Sequence, residues 1–355
     1  MKLKVQKQSI ESILVNLQPF LEKKDASQIT SHVLFETQDN ICSIKATDLE
    51  IGLEIKTDNL SIEQNGSCTA NGKKLLDIVR MLKDDEITLE FLDNTLIIKQ
   101  KHSKFKLPTF DVTSFPAFPK TEDKPQISLD SLSLIQSFKK ISPAIDTNNP
   151  KFELNGALLS IKNEYTDIVG TDTRRLAIAT IENKSEKELS LIIPKKAIME
   201  IQKLFLDKID IFYDEVNLII EDNNFYFYSR LINGKYPDYD RIVPKTTKQT
   251  LVLPRKDMID TIRMITTISQ DIKMTILPDV VIFNSLSSEN VEAKTELEVE
   301  TKFDEKFEIN FNSRYLLDFI TQIEKNEFEL QFNEPNLPFI AKDDNFITII
   351  MPIVM

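Results

Sequence analysis

The stretch Lys73-Lys74-Leu75-Leu76-Asp77-Ile78-Val79-Arg80-Met81-Leu82 contains the pattern that decides the fold of this chain. A cation, an acid and a second cation stand at positions i, i+4 and i+7, and these are Lys73, Asp77 and Arg80. Because an α-helix turns by about 100° per residue, the three charges share one face. The opposite face is apolar and consists of Leu75, Val79 and Leu82. The spacing predicts an amphipathic helix with a charged outer face.

The same arrangement occurs twice more in the chain. The second copy consists of Lys196, Glu200 and Lys203, and the third of Arg314, Asp318 and Thr321. Four further positions, counted from the leading cation as i+2, i+3, i+5 and i+9, are apolar in every copy. The copies begin at residues 73, 196 and 314, a period far too long for a solenoid repeat but suited to three tandem domains.

The residues around each copy predict the remaining elements. Apolar and polar residues alternate after each helix, as in antiparallel strands with one buried face, at residues 87–98, 209–227 and 328–350. A further helix candidate opens each unit, at residues 9–21, 129–141 and 255–268. Aromatic and proline residues close the first two units, at residues 114–119 and 235–239. We therefore predict an α+β fold with three domains, at residues 1–122, 123–246 and 247–355.

Composition limits the class of protein. The chain has 355 residues, 41% of them hydrophobic, which is enough for more than one buried core. It contains no apolar run long enough for a transmembrane helix and no signal peptide at its start, so we expect a cytoplasmic protein that does not bind membranes. Cys42 and Cys68 lack metal-type spacing and indicate no disulfide framework. Six glycines provide no glycine-rich phosphate loop, and we expect neither a metal nor another cofactor.

The net charge of −12 is unusual for a protein that binds nucleic acid. Phosphate contacts need local cations, so the net charge by itself argues against DNA. Net charge does not fix its distribution, however, and the 44 basic residues can be concentrated on one surface. From the periodicity alone, three copies of a generic α+β domain with solvated outer charges are as reasonable as a DNA-binding protein.

Five segments, in the same order along the chain, resemble the bacterial DNA polymerase III beta subunit family. They are Thr47-Asp48-Leu49-Glu50, residues 154–159 (LNGALL), residues 170–177 (GTDTRRLA), residues 236–244 (YPDYDRIVP) and Ile350-Met351-Pro352-Ile353. The family typically has TDLE, LNG, TDGHRLA, F/Y-P-D-Y-x-R-V-x-P and V-M-P-M/I at these places. The resemblance extends from Met1 to Met355.

The resemblance implies three tandem copies of the DNA-clamp fold, each with two helices packed on antiparallel sheets. It further implies a head-to-tail homodimer that forms a six-domain ring, with the helices around the central hole. The implied function is that of a DNA sliding clamp, a non-catalytic processivity subunit that encircles double-stranded DNA without sequence specificity. Its implied partners are the DNA polymerase III alpha subunit, the clamp loader, other DNA polymerases and repair proteins, held through short linear motifs.

Basic helices would resolve the charge problem, because they would line the hole while the outer surface carries the acid. The resemblance implies a DNA-binding set of Lys24, Lys73, Lys74, Arg80, Asn148, Lys195, Lys196 and Lys203. Lys24 stands where an arginine is usual, and Glu153, where a tyrosine is common, would repel phosphate. The third helix, with Arg314 and Asp318, is nearly neutral, and we expect it to contribute least.

The resemblance also implies a hydrophobic groove for partner peptides where the second and third domains meet. Its expected lining is Leu154, Thr171, Thr173, Arg174, Leu176, Pro237, Arg241, Ile242, Ile349, Met351, Pro352 and Ile353. From Phe346 to Met355 only Thr348 is polar, and an apolar run of this kind needs burial or a partner. Thr173 replaces a customary glycine, so we expect a peptide preference that differs from the family norm.

At the dimer interface, the resemblance brings Phe105 and Leu107 of one chain against Thr267 and Ile268 of the other. Phe105 and Leu107 alternate onto one face of the last strand of the first domain, although simple core packing would produce the same pattern. Family members usually have a larger apolar pair at the second place, so we expect Thr267 to weaken the ring.

Two other functions are compatible with the residues alone. A metal-dependent nuclease would use acidic clusters such as Asp84-Asp85-Glu86 or Asp343-Asp344, but these lie between predicted strands, where solvated turns are common. A protein scaffold would bind partners without encircling DNA. His32 and His102 have no evident catalytic partner in the sequence. Retention of the pure protein on circular DNA, and its release on linearisation, would distinguish a clamp from both.

Overall fold

Three consecutive repeats of helices and antiparallel strands make up the chain, which we describe from a computed structural model. The structure describes residues 1–25, 27–286 and 292–354. Within these residues each repeat has two α-helices, and the second of the two is the charged helix that the sequence predicts.

The elements follow the same order in each repeat, except that the first repeat has one additional strand, β5. The first repeat contains β1 (Lys2–Gln6), α1 (Lys7–Leu17), β2 (His32–Gln38), β3 (Ile41–Thr47), β4 (Ile51–Thr57), β5 (Ser61–Gln64), β6 (Gly66–Asn71), α2 (Gly72–Met81), β7 (Glu86–Leu92), β8 (Thr95–Gln100) and β9 (Ser103–Pro108). The second contains β10 (Gln126–Ile127), α3 (Ser131–Ile141), β11 (Gly156–Ile161), β12 (Tyr165–Thr171), β13 (Arg175–Glu182), β14 (Leu189–Pro194), α4 (Lys195–Leu204), β15 (Asp210–Tyr213), β16 (Asn217–Glu221) and β17 (Phe225–Arg230). The third contains β18 (Gln249–Pro254), α5 (Arg255–Thr266), β19 (Asp271–Leu277), β20 (Val280–Ser285), β21 (Lys294–Glu298), β22 (Phe307–Asn312), α6 (Ser313–Gln322), β23 (Glu327–Phe332), β24 (Phe339–Asp343) and β25 (Phe346–Ile350).

The charged helices of the first and third repeats begin at an asparagine cap. In α2 the Asn71 side chain accepts a hydrogen bond from Lys74 N at 3.0 Å, and in α6 Asn312 accepts one from Arg314 N at 3.1 Å. Such a cap stabilises a helix by about 1 kcal/mol, because it satisfies an N–H group that has no partner within the helix. The apolar faces of the three charged helices are buried as predicted, and they include Leu75, Val79, Ile198, Ile201, Leu316 and Ile320.

The first structural unit comprises residues 1–131 and 203–231. It contains a five-stranded sheet with the order β5-β1-β7-β8-β9 and an eight-stranded sheet with the order β10-β15-β16-β17-β4-β3-β2-β6. The larger sheet is continuous because β17 of the second repeat pairs antiparallel with β4 of the first. In its core, Phe20 and Phe205 pack edge-on against Phe227, with ring centroids 6.0 and 6.3 Å apart.

The second unit comprises residues 132–202 and 232–355. Its eight-stranded sheet has the order β14-β11-β12-β13-β25-β24-β23-β18, and its four-stranded sheet the order β21-β20-β19-β22. Here β25 of the third repeat pairs antiparallel with β13 of the second. Phe319 of α6 stacks on Phe346 of β25 at a centroid distance of 4.9 Å, which packs the charged helix onto the sheet.

The two units do not coincide with the repeats, because the last strand of one repeat extends the sheet of the repeat before it. A sheet edge exposes unpaired backbone N–H and C=O groups, and pairing with the next repeat satisfies them. The domain boundaries near residues 122 and 246 stay a prediction.

Three features of the structure concern membrane insertion, metal binding and disulfide formation. No helix among the described residues is both long and apolar enough to cross a membrane. In the same part of the chain, no group of three or more His, Cys, Asp or Glu residues is placed to hold a metal ion. Cys42 and Cys68 are unbridged and buried, and burial raises the pKa of each thiol to about 12.

Candidate functional site

A hydrogen-bonded turn between β12 and β13 positions the centre of the predicted groove. Thr171 Oγ1 donates to the Arg175 carbonyl at 2.6 Å and accepts from Thr173 N at 3.1 Å. Asp172 Oδ1 accepts from the backbone N–H groups of Arg174 and Arg175, both at 3.0 Å. This bonding holds Thr173 at φ 72°, a left-handed conformation that is costly for a β-branched residue and easy for glycine. Thr173 and Arg174 are exposed at this turn, which is the predicted rim of the groove.

Backbone hydrogen bonds fix the apolar C-terminal segment beside this turn. The pairing of β25 with β13 puts Ile349 opposite Leu176. Beyond the strand, Met351 N donates to the Arg174 carbonyl at 3.0 Å. Ile349 is buried, whereas Met351 is 39% exposed next to the turn. Met355, the last residue of the apolar run, lies outside the described residues.

Two tyrosines anchor the segment that follows the second repeat onto the same sheet. The Tyr236 hydroxyl donates to the Val169 carbonyl at 3.4 Å, and the Tyr239 hydroxyl donates to Asp167 Oδ2 at 2.8 Å. Burial, together with the neighbouring Asp167 carboxylate, raises the pKa of Tyr239 to about 12. Both rings therefore stay neutral and hold the segment in place at ordinary pH.

The residues predicted to line the groove divide into a buried floor and an exposed rim. Leu154, Leu176 and Ile349 belong to one buried hydrophobic cluster, which is the predicted floor. The exposed members are Thr173, Arg174, Pro237, Arg241, Ile242 and Met351. Thr171 is buried within the turn, and Pro352 and Ile353 are half-buried. An apolar floor with cations at its rim suits a peptide that has apolar anchors and an acidic or polar flank.

Arg175 was missing from the predicted set, yet it connects the turn at the predicted groove to α6. Its side chain is 6% exposed, and it donates to Asp172 Oδ2 at 3.1 Å and to Asp318 Oδ2 on α6 at 2.7 Å. The guanidinium also lies over the Tyr315 ring, 4.6 Å from its centroid. The signal available in the sequence was the pair Arg174-Arg175, because an arginine of such a pair that points into the protein needs acidic partners.

The predicted DNA-binding residues of the first repeat lie on the surface. Lys73, Lys74 and Arg80 are exposed on α2, and Lys24 is exposed in the loop before β2. Arg80 Nε lies 3.7 Å from Glu11 Oε1 of α1, a loose ion pair that leaves the guanidinium accessible. The helix therefore presents several cations on one face.

In the second repeat the predicted DNA-binding residues differ in exposure. Lys196 and Lys203 are exposed on α4, and Asn148 is exposed in the loop after α3. Lys195 is half-buried, and its Nζ donates to the Ile145 carbonyl at 2.5 Å. Burial lowers the pKa of Lys195. The Lys195 ammonium group is thus held by a backbone carbonyl, and Lys196 and Lys203 are more exposed than Lys195.

Glu200 departs from the predicted helix face. The sequence placed it on the solvent face together with two lysines, but it is only 8% exposed. Ala197 and Ile201, both buried, stand three residues before it and one after it, so Glu200 lies at the edge of the buried face. The Glu200 side chain is therefore largely covered by its neighbours, whereas Lys196 and Lys203 are exposed.

The four residues predicted at the dimer interface also differ in exposure. On β9, Phe105 is 37% exposed and Leu107 is 6% exposed. At the end of α5, Ile268 is 42% exposed, and Thr267 Oγ1 donates to the Met264 carbonyl at 2.7 Å. Leu107 is buried by packing within its own unit, whereas the apolar side chains of Phe105 and Ile268 remain partly exposed in the single chain.

Comparison with known sequences identifies a family for nearly the whole chain. Residues 1–119, 128–238 and 240–354 match the N-terminal, central and C-terminal domains of the DNA polymerase III beta subunit. The chain belongs to this family.

Individual relatives agree with the family match. The beta sliding clamp of Helicobacter pylori (strain J99) is 37% identical over 352 residues, which cover 97% of this chain and 94% of the relative. That of Caulobacter vibrioides is 29% identical over 362 residues. The structure of the H. pylori beta clamp bound to a DNA ligase peptide has a TM-score of 0.95, 37% identity and full coverage of both chains. DNA polymerase III subunit beta from Pseudomonas aeruginosa, at 24% identity and a TM-score of 0.91, shares the fold.

The prediction of three tandem clamp domains is therefore confirmed. The chain is a DNA sliding clamp, a non-catalytic processivity subunit that acts in DNA replication. Neither the nuclease nor the DNA-free scaffold is favoured by this relationship. The residues that contact peptide, DNA and the second chain stay predictions.

Proposed function

We propose that two copies of this chain close head-to-tail into a cytoplasmic ring around double-stranded DNA, and that each copy holds partner proteins in the groove. The H. pylori beta clamp was solved with a DNA ligase peptide. We infer that the groove of this chain takes the same class of ligand, a short segment of a replication or repair protein. That class includes segments of the DNA polymerase III alpha subunit, other polymerases and the clamp loader.

The fixed C-terminal segment is the observation that carries the peptide site. Its hydrogen bond to the Arg174 carbonyl holds Met351 at the edge of the buried floor, so an apolar side chain can enter there without reordering the backbone. Met351 is flexible enough to pack on anchors of different shape, such as leucine or phenylalanine. Arg174 and Arg241 place positive charge at the rim, and Arg241 is also paired with Asp238 at 2.7 Å.

Two strands that lie at sheet edges in the described part of the chain support the dimer. The last strand of the second repeat, β17, pairs with β4 of the first, and the last strand of the third, β25, pairs with β13 of the second. The corresponding strands β9 and β21 are left at the edges of the five-stranded and four-stranded sheets. Pairing β9 of one chain with β21 of a second chain would satisfy both edges, and two such contacts close a two-fold ring.

The pairings within the chain predict the register between chains. Thr348 on β25 lies opposite Ala177 on β13. Phe105 is the third residue of β9 and Thr348 is the third residue of β25, and both strands pair with the preceding strand in the same register. Phe105 therefore has the position in the first repeat that Thr348 has in the third. Strands β14 and β22 each end directly before the charged helix of their repeat. When the paired residues are followed from these two ends across each sheet, Ala293 has the position in the third repeat that Ala177 has in the second. Phe105 of one chain would then face Ala293 of the other, a small residue that leaves room for the ring.

Charges on the two edges agree with this register. The next facing pair is Lys106 with Glu292, which are opposite in charge and exposed. Lys104 would face Lys294, but Lys294 forms an ion pair with Glu296 on its own strand. Opposite charges across a strand pair contribute up to about 1 kcal/mol each, so they favour this register more than they stabilise the ring.

The exposed cations of α2 and α4 support contact with DNA. A ring holds DNA by topology, so its lining needs only weak phosphate contacts that carry no sequence information and permit sliding. Neither helix needs a base-specific side chain for this purpose. The lining residues that we propose on exposed helix faces are Lys73, Lys74, Arg80, Lys196 and Lys203.

Retention by DNA topology tests the proposal. Labelled protein is loaded onto a nicked circular plasmid with a clamp loader, washed at high salt, and separated from unbound protein by gel filtration. The ring should stay on the circle and be lost when a restriction enzyme linearises the plasmid. Protein that stays equally well on linear DNA, or on neither form, would rule out encirclement.

A further inference from the structure

The junction between β4 and β17 in the first unit repeats the construction of the proposed groove in the second unit. The turn between β3 and β4 has the same hydrogen bonds as the turn between β12 and β13. Thr47 Oγ1 donates to the Ile51 carbonyl at 2.8 Å and accepts from Leu49 N at 2.9 Å, and Leu49 has φ 75°. Arg230 N donates to the Glu50 carbonyl at 2.8 Å, which matches the bond that holds the residue after β25.

The floors of the two junctions nevertheless differ. In the groove, Leu176 of β13 faces Ile349 of β25. At the equivalent positions of the first junction, Gly52 of β4 faces Tyr228 of β17. Leu176 and Gly52 both stand five residues after the threonine of their turn. The apolar side chain is therefore missing from one strand and replaced by a larger aromatic ring on the other.

Tyr228 fills the space that the glycine leaves. A Cβ atom on Gly52 would lie 2.1 Å from Tyr228 Cε1, so the ring rests directly on the backbone of β4. The Tyr228 hydroxyl is 2.6 Å from Thr47 Oγ1, within the turn itself. The Phe118 ring packs edge-to-face on Tyr228 at a centroid distance of 4.9 Å, and Tyr228 is only 5% exposed. The junction is closed by the chain's own side chains.

We propose that Tyr228 is a plug, which occupies in the first junction the space that a partner's apolar side chain takes in the groove. The inference rests on the proposed peptide-binding function. A plug explains why only one of two junctions with the same construction would bind a peptide. Gly52 and Tyr228 act together, because the ring can reach the Thr47 hydroxyl only across a residue that has no side chain.

The rim of the first junction indicates what an opened site would bind. Glu50 stands where the groove has Arg174, and the exposed Leu49 stands where it has Thr173. The space vacated by the Tyr228 ring would take an apolar anchor of such a peptide. A basic residue beside those anchors would be favoured by Glu50, whereas the groove favours an acidic one.

Binding stoichiometry of the full-length dimer tests the plug. The probe is the acetylated peptide Gln-Leu-Ser-Leu-Phe, measured by calorimetry. Tyr228→Ile gives the first junction the residue type of Ile349, and we expect it to bind one more peptide per chain than the wild type does. Tyr228→Phe, which keeps the ring and loses only the bond to Thr47, is the matched control and should gain no site. Replacing the first residue of the probe by lysine should strengthen binding at the additional site.

Gly52→Ala opens the same junction from the opposite strand, because the new Cβ atom expels the ring. It should gain the same additional site even if Tyr228→Ile does not fold. A folded dimer of either variant that binds no more peptide than the wild type contradicts the plug, and so does a gain in Tyr228→Phe. Absence of binding by the wild type would instead contradict the proposed groove, so the two failures are distinguishable.

Discussion

The guanidinium of Arg175 on β13 donates from Nη1 to Asp318 Oδ2 on α6 across 2.7 Å. Arg175 directly follows Arg174 at the rim of the groove, while Asp318 lies one turn from Arg314, with 4.0 Å between the charged groups. One arginine thereby connects the strand that carries the groove to the helix face predicted to approach DNA. The bond also neutralises a carboxylate that would repel phosphate.

Replacing Arg175 by methionine should lower the free energy of unfolding by roughly 3 kcal/mol, because two partly buried carboxylates lose their partner. Urea unfolding measures the change. The exposed neighbour is the matched control, and Arg174→Met should change stability by less than about 0.5 kcal/mol. Adding Asp318→Asn to the first variant should recover part of the loss. Equal stability of the two methionine variants would mean that the buried ion pairs contribute nothing.

Replacing Met351 by aspartate should abolish peptide capture, because a carboxylate would enter the apolar edge of the groove. The backbone bond of residue 351 to Arg174 is retained, so we expect the dimer to stay intact. Val354, which is 70% exposed, provides the control, and Val354→Asp should bind the peptide Gln-Leu-Ser-Leu-Phe like the wild type. Calorimetry measures affinity, and sedimentation confirms the dimer. Undiminished binding by Met351→Asp would place the peptide site elsewhere.

Charge reversal tests the register between chains. Lys106→Glu puts two acids opposite each other at the proposed interface, and it should raise the dimer dissociation constant about tenfold, as a change of roughly 1.4 kcal/mol would do. Glu292→Lys alone should have a similar effect, and the double variant should restore the dimer. Sedimentation equilibrium measures all three. A double variant as weak as the sum of the single ones would show that the two side chains do not face each other.

Reversing cations on the charged helices should impair retention on DNA. The test variant changes four exposed residues to glutamate, namely Lys73, Arg80, Lys196 and Lys203. Because phosphate contacts release counterions, the difference from the wild type should grow as salt is lowered. A variant with the same change in net charge is the control, with glutamate at Lys184, Lys187, Lys208 and Lys245. Retention on nicked circular plasmid is measured against salt concentration, and equal losses in the two variants would refute the lining.

His32 makes stability depend on pH. It is 4% exposed, packs on Phe110 at a centroid distance of 4.4 Å, and has Nδ1 3.4 Å from Thr69 Oγ1. Burial, with a smaller contribution from Lys74, lowers the pKa of His32 from 6.5 to about 4. Between these values the unfolded chain binds more protons than the folded one. The contribution of neutral His32 is therefore complete above pH 6.5 and is lost as the pH falls towards 4.

Urea unfolding at pH 7 and pH 4.5 measures this dependence. The wild type should lose about 2 kcal/mol more than His32→Gln over this interval, because one pKa unit corresponds to about 1.4 kcal/mol. His102 is exposed in the turn between β8 and β9, and His102→Gln should behave like the wild type. An identical loss in wild type and His32→Gln would mean that His32 does not contribute.

Local periodicity predicted the charged helices and the strands that follow them, but not the strands between the two helices of each repeat, such as β2 to β6. The charged pattern beginning at Lys73 corresponds to α2 (Gly72–Met81), and the alternating residues after it to β7 and β8. Helical and strand spacing depends on the backbone geometry of neighbouring residues, which the sequence states directly. The solvent-face prediction for Glu200 was wrong because position 200 is shared between the charged face and the buried one, and packing decided between them.

The sequence by itself determined the three repeats, their charged helices and the strands that follow these helices, while the residues of the groove stay a prediction from the resemblance. Only the tertiary structure decided which strands join neighbouring repeats, where Arg175 finds its acidic partners, and that Tyr228 covers Gly52. These relationships join residues far apart in the chain, such as Thr47 and Tyr228, which are separated by 181 positions. Periodicity assigns a side chain to a face, but the partner on that face depends on how the elements pack in three dimensions.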